Sequence, residues 1–212
     1  VYEARVNGRL VGPNRLAPEW TNYHKRIQYQ AYPIQSLLRS GANTLEVTVA
    51  DGWACGRLGI APPPGRAFYG RDPALLAQLE METAAGTRTT IASDEKWLVT
   101  RDGPVRMADI LDGVTYDATR EQPRDWVQAG PRPAPSGRLV AQPNEPIRAI
   151  ARLQPTALTQ PARGVWVYDL GQNMVGTVRL RLKAPRGTQV RLRFAEMLNE
   201  DGTVYVFFFI DS

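Results

Sequence analysis

Strict alternation of apolar and polar residues is the feature that most constrains this chain. In NTLEVTV (43–49), Leu45, Val47 and Val49 fall on one side of an extended chain and polar residues fall on the other. TVRLRLKAP (177–185) and TQVRLRFAE (188–196) repeat the pattern with basic residues on the polar side. Because side chains alternate across a strand, such segments bury one face and leave the other in water, as in antiparallel sheets. The sequence therefore predicts an all-β protein.

Short turn signatures separate the alternating segments. Glycine in these positions supplies the left-handed backbone that tight turns require. The signatures APRGT (184–188) and NEDGT (199–203) adjoin clean strand patterns, so 178–206 is predicted to be a meander. The run 204–210 is uncharged, free of proline and high in β propensity, which is the profile of an aggregation-prone strand. The turn signatures are VNGR (6–9), RSGAN (39–43), AAGTR (84–88), APRGT (184–188) and NEDGT (199–203).

Two segments contain helix formers. The stretch DPALLAQLEMETAAG (72–86) has a helical composition, yet its residues 75, 77, 79 and 81 also alternate as in a strand. Because a β neighbourhood overrides intrinsic propensity, we predict a strand over about 75–82. For PIQSLLRSG (33–41) we predict a single helical turn that ends at Gly41.

A proline-rich stretch marks a domain boundary. Five of the 19 residues at 128–146 are proline, which suits a linker or a long extended crossing. We therefore place a first domain at 1–127 and a second, incomplete domain at 147–212.

Composition narrows the class of protein. The formal net charge is +5, but 23 of the 26 basic residues are arginines that are spread singly along the chain. This indicates a solvated surface and no nucleic-acid partner. No apolar run approaches the ~18 residues that span a membrane, so no membrane partner is predicted.

Few residues of this chain could bind a metal ion through nitrogen or sulfur, or form a disulfide. Cys55 is the single cysteine, which excludes an internal disulfide and disfavours zinc. His24 is the single histidine. The chain opens at Val1 inside a strand-like stretch without a signal-peptide pattern, so we expect the natural start to lie upstream, and the localisation stays open.

Several motifs together resemble one family. The resemblance is to the amino-terminal region of bacterial α-L-rhamnosidases of glycoside hydrolase family 78. It covers nearly the whole chain, and the longest motif near the end is the most specific. The motifs are VYEARVNGRLVG (1–12), LAPEWTNYHKRIQYQAYPIQSLLRSGANTLEVTVADGW (16–53), RDPALLAQLEME (71–82), DEKWLV (94–99), DILDGVTYDA (109–118) and VYDLGQNMVGTVRLRLKAPRGTQVRLRFAEMLNEDGTVY (167–205).

The resemblance implies two β-sandwich modules ahead of an (α/α)6 barrel that carries the catalytic carboxylates. The first module is jelly-roll-like, and a related module in the family binds rhamnose with calcium. The second is concanavalin-like and packs on the barrel. On this resemblance the barrel begins beyond Ser212 and the chain lacks catalytic residues. Asn22 stands where family members usually carry aspartate.

Sugar recognition combines aromatic rings, which cover C–H faces, with polar side chains that bridge hydroxyl groups. We expect a sugar to lie among Tyr23, Arg26 and Trp53, and Trp20 to be at least partly buried. A structural interpretation competes throughout: Trp53 can cap the core, and Arg26 can lie on a solvated strand face. The candidates are Tyr23, Arg26, Trp53, Arg57, Tyr69, Asp112, Tyr116 and Asp117.

Asp112 and Asp117 invite comparison with the paired carboxylates of glycosidases, which lie about 5–10 Å apart. However, Asp112–Gly113 is a turn signature, so we do not expect catalysis from this pair. The same acids could ligate calcium, although no EF-hand spacing is present.

The sequence thus favours a non-catalytic, carbohydrate-binding fragment of an α-L-rhamnosidase that hydrolyses terminal α-L-rhamnosides. Its expected partners are rhamnose-containing glycans and the missing catalytic barrel. Two alternatives remain open: a purely structural β-sandwich scaffold without a ligand, and a free-standing lectin-like module.

Overall fold

The computed structural model describes residues 1–59 and 65–205, and it consists of β-strands and loops with little helix. The prediction of an all-β protein is confirmed. The chain divides into unit one (Val1–Arg148) and unit two (Ala149–Ser212). No helix in the described ranges is long and apolar enough to cross a membrane.

Thirteen strands and one short α-helix are present in the described residues, together with 3₁₀ turns at Gln35–Leu37 and Ala118–Arg120. They are β1 (Tyr2–Val6), β2 (Arg9–Leu10), β3 (Arg26–Tyr29), β4 (Leu45–Val49), α1 (Gly52–Cys55), β5 (Gln78–Glu82), β6 (Arg88–Ala92), β7 (Leu98–Val99), β8 (Val105–Asp109), β9 (Gly113–Tyr116), β10 (Val127–Gln128), β11 (Arg138–Ala141), β12 (Ala157–Ala162) and β13 (Val165–Asp169).

An antiparallel sheet of order β2-β1-β4 occupies the start of unit one. Its tight turn confirms the VNGR signature, because Asn7 and Gly8 have φ angles of 52° and 76°. A two-residue hairpin of this kind needs positive φ at both positions, and asparagine and glycine adopt it at the lowest cost. Val6, at the end of β1, is one of the few buried apolar residues.

A parallel pair joins two segments that are far apart in sequence. β11 pairs with β3 from Arg138 opposite Arg26 to Ala141 opposite Tyr29. β11 lies inside the stretch 128–146 for which we predicted a linker, and β10 overlaps the start of that stretch while pairing with β7. The proline-rich stretch therefore contributes backbone pairing to unit one, and the division into units falls between Arg148 and Ala149.

The remaining strands form antiparallel hairpins: β5 with β6, β8 with β9, and β12 with β13. β5 confirms the strand predicted near 75–82, where pairing with β6 prevails over helix propensity. The predicted single helical turn is present at Gln35–Leu37. It ends there and not at Gly41, because the backbone at Leu38 is already extended.

The hydrophobic core is small. Among the described residues the buried apolar ones are Val6, Ala17 and Cys55. The chain exposes 17303 Å² of surface, whereas a compact monomer of this mass exposes about 10,000 Å². Much apolar side-chain surface is therefore uncovered by the chain itself.

The predicted meander at 178–206 is wrong for the part of it that the structure describes. Residues 170–197 form no strand, and the only pairing nearby is a single bridge between Leu198 and Val204. The alternating apolar residues are exposed, Phe194 by 69%. A strand needs neighbours for its backbone groups and its apolar face, and the described chain supplies neither here. Most of the aggregation-prone run 204–210 lies outside the described residues.

Replacing Gly137 tests how the chain enters β11. A Cβ atom at Gly137 would collide with the carbonyl oxygen of Tyr23, whereas one at Gly130 would meet nothing within 4 Å. We expect Gly137→Ala to lower the free energy of unfolding by about 1–3 kcal/mol, the usual cost of overpacking. Gly130→Ala is the matched control and should change it by less than about 0.5 kcal/mol. Urea titration measures both, and equal stabilities would contradict the packing of Gly137 against Tyr23.

Candidate functional site

The loop of residues 16–24 carries backbone strain. Leu16 and Glu19 have φ angles of 53° and 67°, in the left-handed region that residues with a Cβ atom avoid. Each such residue costs on the order of 1 kcal/mol or more, so surrounding contacts must hold it in place. Strained residues concentrate at functional sites, so this loop is a candidate functional site.

Glu19 supplies the contacts that hold the loop. Its Oε1 accepts a hydrogen bond from Nε2 of Gln142 at 2.7 Å, and its Oε2 accepts one from Nδ2 of Asn144 at 2.6 Å. The Tyr23 hydroxyl donates to the Glu19 carbonyl at 2.7 Å. Because Gln142 and Asn144 follow β11 directly, the strained loop is joined to the end of the β3–β11 pair.

A chain of side-chain hydrogen bonds extends this anchor toward β1. Gln30 donates from Nε2 to Oε1 of Gln142 at 2.9 Å and accepts from the Tyr2 hydroxyl at 2.8 Å. The hydroxyls of Tyr2 and Tyr32 lie 3.3 Å apart. Burial, and then the hydrogen bond with Tyr32, raise the pKa of Tyr2 well above its ordinary value. Tyr2 therefore stays a neutral hydrogen-bond donor. The hydrogen bonds through Gln142 and Gln30 connect the loop to β1 of the first sheet.

Above this anchor lies an aromatic cluster, which consists of Trp20, Tyr23, His24 and Tyr69. The Tyr69 ring centroid is 4.8 Å from that of Tyr23 and 5.1 Å from that of His24. The indole N–H of Trp20 donates to the Tyr69 hydroxyl at 3.4 Å. Trp20 is 56% exposed, so the packing that we expected for it covers less than half of its surface.

Tyr69 reaches the cluster because its segment folds back on α1. The Tyr69 N–H donates to the carbonyl of Ala54 at 3.4 Å, and that of Ala67 donates to Gly56 at 3.3 Å. Burial, with a further contribution from Tyr69, raises the pKa of Tyr23 to about 12. Trp53 lies half-buried in α1, the helix against which the Tyr69 segment packs. This packing brings the ring of Tyr69 against that of Tyr23.

Beside α1 lies an Arg–Asp cluster, which consists of Asp51, Arg57, Arg66, Asp109 and Asp112. The Asp109 side chain is only 1% exposed. It accepts hydrogen bonds from the backbone N–H groups of Arg57 at 2.9 Å, of Leu111 at 2.9 Å and of Asp112 at 3.1 Å. Burial by itself raises the pKa of Asp109, but these three donors and the Arg66 guanidinium outweigh it and hold the pKa below its usual value.

Arginine side chains neutralise the other acids of the Arg–Asp cluster. Arg66 reaches Asp112 at 2.5 Å and Asp51 at 3.1 Å, while Nε of Arg57 lies 3.5 Å from Asp112. Two of the predicted binding residues, Arg57 and Asp112, therefore pair with each other. Their arrangement fixes the fold of the segment that presents Tyr69.

Tyr116 and Asp117 lie at the end of β9 and serve local contacts. The exposed Tyr116 donates to Oε1 of Glu121 at 3.2 Å. Asp117 accepts from the backbone and the hydroxyl of Thr119 at 2.9 and 2.7 Å. These bonds, and then Arg120, lower the pKa of Asp117. Asp117 thus holds the 3₁₀ turn that follows it.

Arg26, the remaining candidate, is exposed in β3. Its carbonyl accepts from the Thr21 hydroxyl at 2.6 Å. The part of the chain that the structure describes gathers no group of three or more acidic, histidine or cysteine side chains suited to a metal.

Sequence reasoning missed the residues that shape the loop. Glu19, Gln142 and Asn144 are far apart in the sequence, and positive φ at Glu19 leaves no compositional trace. Arg66 and Asp109 were also missed as partners of Arg57 and Asp112. The one available signal was the aromatic residue Trp20 directly after Pro18–Glu19 in a polar loop.

Two family models match the chain. The model of the α-L-rhamnosidase N-terminal domain matches residues 1–151, and that of the bacterial α-L-rhamnosidase concanavalin-like domain matches residues 159–208. The chain belongs to the α-L-rhamnosidase family, of which it covers the N-terminal domain and part of the concanavalin-like domain.

Individual relatives agree with this assignment. An α-L-rhamnosidase of Streptomyces avermitilis is 47% identical over 97% of the chain and 20% of the relative. One from Formosa agariphila is 34% identical over 97% of the chain and 23% of the relative. The chain therefore spans about a fifth of the length of its curated relatives.

Solved structures match as well. The crystal structure of the S. avermitilis enzyme complexed with L-rhamnose superposes with a TM-score of 0.88 at 47% identity, over 96% of this chain and 20% of that one. The crystal structure of native α-L-rhamnosidase from Aspergillus terreus superposes with a TM-score of 0.72 at 32% identity. The match covers 82% of this chain and 21% of that one.

The lowered pKa of Asp109 predicts a pH-dependent contribution to stability. A carboxyl whose pKa is lower in the folded state stabilises the fold above its unfolded pKa of about 3.9, and this stabilisation is lost as the pH falls through the folded value. We expect Asp109→Asn to destabilise unit one clearly at pH 7 and less at pH 3, as measured by urea titration. The exposed Asp125 provides the control Asp125→Asn. A destabilisation by Asp109→Asn that is equal at both pH values would contradict the role of the charge.

Proposed function

We propose that this chain provides the non-catalytic, carbohydrate-binding N-terminal part of an α-L-rhamnosidase that hydrolyses terminal α-L-rhamnosides, and that the aromatic cluster binds the sugar. The observation that carries the proposal is the exposed indole of Trp20, which a strained and well-anchored loop holds beside Tyr69.

The chemistry of the cluster suits a deoxy sugar. L-Rhamnose offers C–H groups and a methyl group to an aromatic face, and hydroxyl groups to polar atoms at its edge. Trp20 supplies the open face, while the Tyr69 hydroxyl and the exposed His24 ring supply polar groups. Because Glu19 fixes the loop before any ligand arrives, binding costs little additional ordering of the backbone.

The other candidates fall into two groups. Tyr23 and Tyr69 belong to the cluster, and Arg26 and Trp53 lie on β3 and α1, the elements next to its loops. Arg57, Asp112, Tyr116 and Asp117 are engaged in internal contacts, which favours a supporting role for them. Asp112 and Asp117 each have partners of their own, which supports a non-catalytic chain.

Relatives support the choice of ligand. The S. avermitilis structure was determined with L-rhamnose, and the present chain shares 47% identity with the part of it that it covers. Since the chain spans about a fifth of such enzymes, hydrolysis by the whole protein belongs to the proposal.

Two exposed tryptophans allow a matched binding test. Trp20 is 56% exposed and Trp126 is 50% exposed, so truncating either removes a similar solvent-facing ring. Covering about 55 Å² of indole by sugar is worth about 1.4 kcal/mol, or a tenfold change in affinity. We expect Trp20→Ala to weaken L-rhamnose binding about tenfold in calorimetric titration and Trp126→Ala to leave it unchanged. Equal affinity of the wild type and Trp20→Ala would exclude the cluster and leave the scaffold role.

A second test addresses catalysis. We expect the purified 212-residue chain to release no product from an aryl α-L-rhamnoside, because Asp112 and Asp117 are held by arginine, threonine and turn contacts. Release that disappears in both Asp112→Asn and Asp117→Asn, measured by absorbance of the aryl group, would contradict the non-catalytic assignment.

A further inference from the structure

Two short segments of unit one, 54–58 and 65–70, run side by side next to the aromatic cluster. Arg57 and Arg66 form an antiparallel bridge between them. Three further backbone hydrogen bonds, of 3.0 to 3.4 Å, join the two segments on both sides of this bridge. The second segment carries Tyr69, so the position of that ring depends on how firmly the two segments are held together.

The turn that leads from Arg66 to Tyr69 has a costly backbone conformation. Ala67 has a φ angle of 60°, in the left-handed region that a residue with a Cβ atom avoids. Its own backbone hydrogen bonds, from its N–H to Gly56 and to its carbonyl from Gly70, are both 3.3 Å long. Such bonds are longer than the usual 2.9–3.0 Å and correspondingly weak. Other contacts must therefore hold this turn in place.

Asp109 and Arg66 supply those contacts. Oδ2 of Asp109 accepts a hydrogen bond from the Arg57 N–H at 2.9 Å and lies 3.4 Å from the Arg66 guanidinium. One oxygen of a buried carboxylate thus holds both sides of the bridge. Arg66 also pairs with Asp51 at 3.1 Å and with Asp112 at 2.5 Å. The residue directly before the strained turn is therefore fixed by three carboxylates.

We propose that Arg66 and Asp109 are positioning residues of the sugar site, which hold Tyr69 where its hydroxyl accepts the indole N–H of Trp20. This inference rests on the function proposed above for the aromatic cluster. The indole bond is 3.4 Å long, near the upper limit for a hydrogen bond, so a small shift of the Tyr69 backbone breaks it. A Trp20 ring released from this bond must be ordered again when the sugar binds, which lowers the affinity.

Two arginines of unit one provide matched variants of the 212-residue chain. Arg66 and Arg120 are similarly exposed, and each pairs with more than one carboxylate. Since L-rhamnose is neutral, removing one positive charge has no direct effect on its binding. In calorimetric titration we expect Arg66→Gln to weaken L-rhamnose binding about threefold, the net value of one hydrogen bond. Arg120→Gln should leave the affinity unchanged, and Asp109→Asn should act in the same direction as Arg66→Gln.

A double-mutant cycle separates positioning from a general loss of stability. Tyr69→Phe removes the hydroxyl that accepts from Trp20. If Arg66 acts through this hydroxyl, Arg66→Gln should cause no further loss of L-rhamnose affinity in the Tyr69→Phe background. Equal losses in the wild-type and Tyr69→Phe backgrounds would show a merely structural role and overturn the proposal. Urea titration verifies that each variant is folded under the conditions of the assay.

The indole N–H resonances give a readout that does not depend on the sugar. In heteronuclear NMR spectra of the chain without ligand, the Trp20 signal is assigned by its loss in Trp20→Phe. We expect this signal to move in Arg66→Gln and in Asp109→Asn, and to stay in place in Arg120→Gln. The indole of Trp126 donates to a backbone carbonyl of its own loop at 3.2 Å and serves as the internal reference.

The two readouts distinguish failure of this inference from failure of the proposed function. A Trp20 signal that stays in place in both Arg66→Gln and Asp109→Asn would overturn the positioning role, whatever the affinities. If the wild type binds no L-rhamnose but the Trp20 signal moves as expected, the proposed sugar site is excluded and the positioning of Tyr69 stands. If Asp109→Asn does not fold, Arg66→Gln decides the question, because it leaves the backbone hydrogen bonds of Asp109 in place.

Discussion

The carboxylate of Glu19 is the interaction on which the structure around the site depends. It accepts from Gln142 and Asn144, and through Gln142 it connects to Gln30 and Tyr2. These bonds tie a strained loop to the parallel pair of β3 and β11 and to the first sheet. Without them the left-handed backbone at Glu19 would relax, and the exposed ring of Trp20 would lose its fixed position.

Charged side chains stabilise the packing of unit one. Hydrogen bonds to buried Asp109 and ion pairs in the Arg–Asp cluster hold the segment that presents Tyr69. These acids are therefore part of the packing of unit one.

Sequence reasoning succeeded where the information is local. The positive φ angles of Asn7 and Gly8 follow from an Asn–Gly pair between alternating strands, and β5 follows from the alternation in 75–82. It failed for the described part of the meander predicted at 178–206, because alternation describes a strand that has neighbours and cannot state which chain supplies them. The pairing of β3 with β11, across more than a hundred residues, left no local trace.

The sequence by itself determined the β class, the family, most turns and the aromatic residues available for a ligand. Only the tertiary structure decided which of these residues meet: the ring of Tyr69 contacts that of Tyr23, and Arg57 pairs with Asp112. It also left Trp20 exposed and brought Glu19 into a hydrogen bond with Gln142. The physical reason is that turn and strand patterns arise from neighbouring residues, whereas a site depends on long-range hydrogen bonds and ion pairs whose partners become adjacent only after folding.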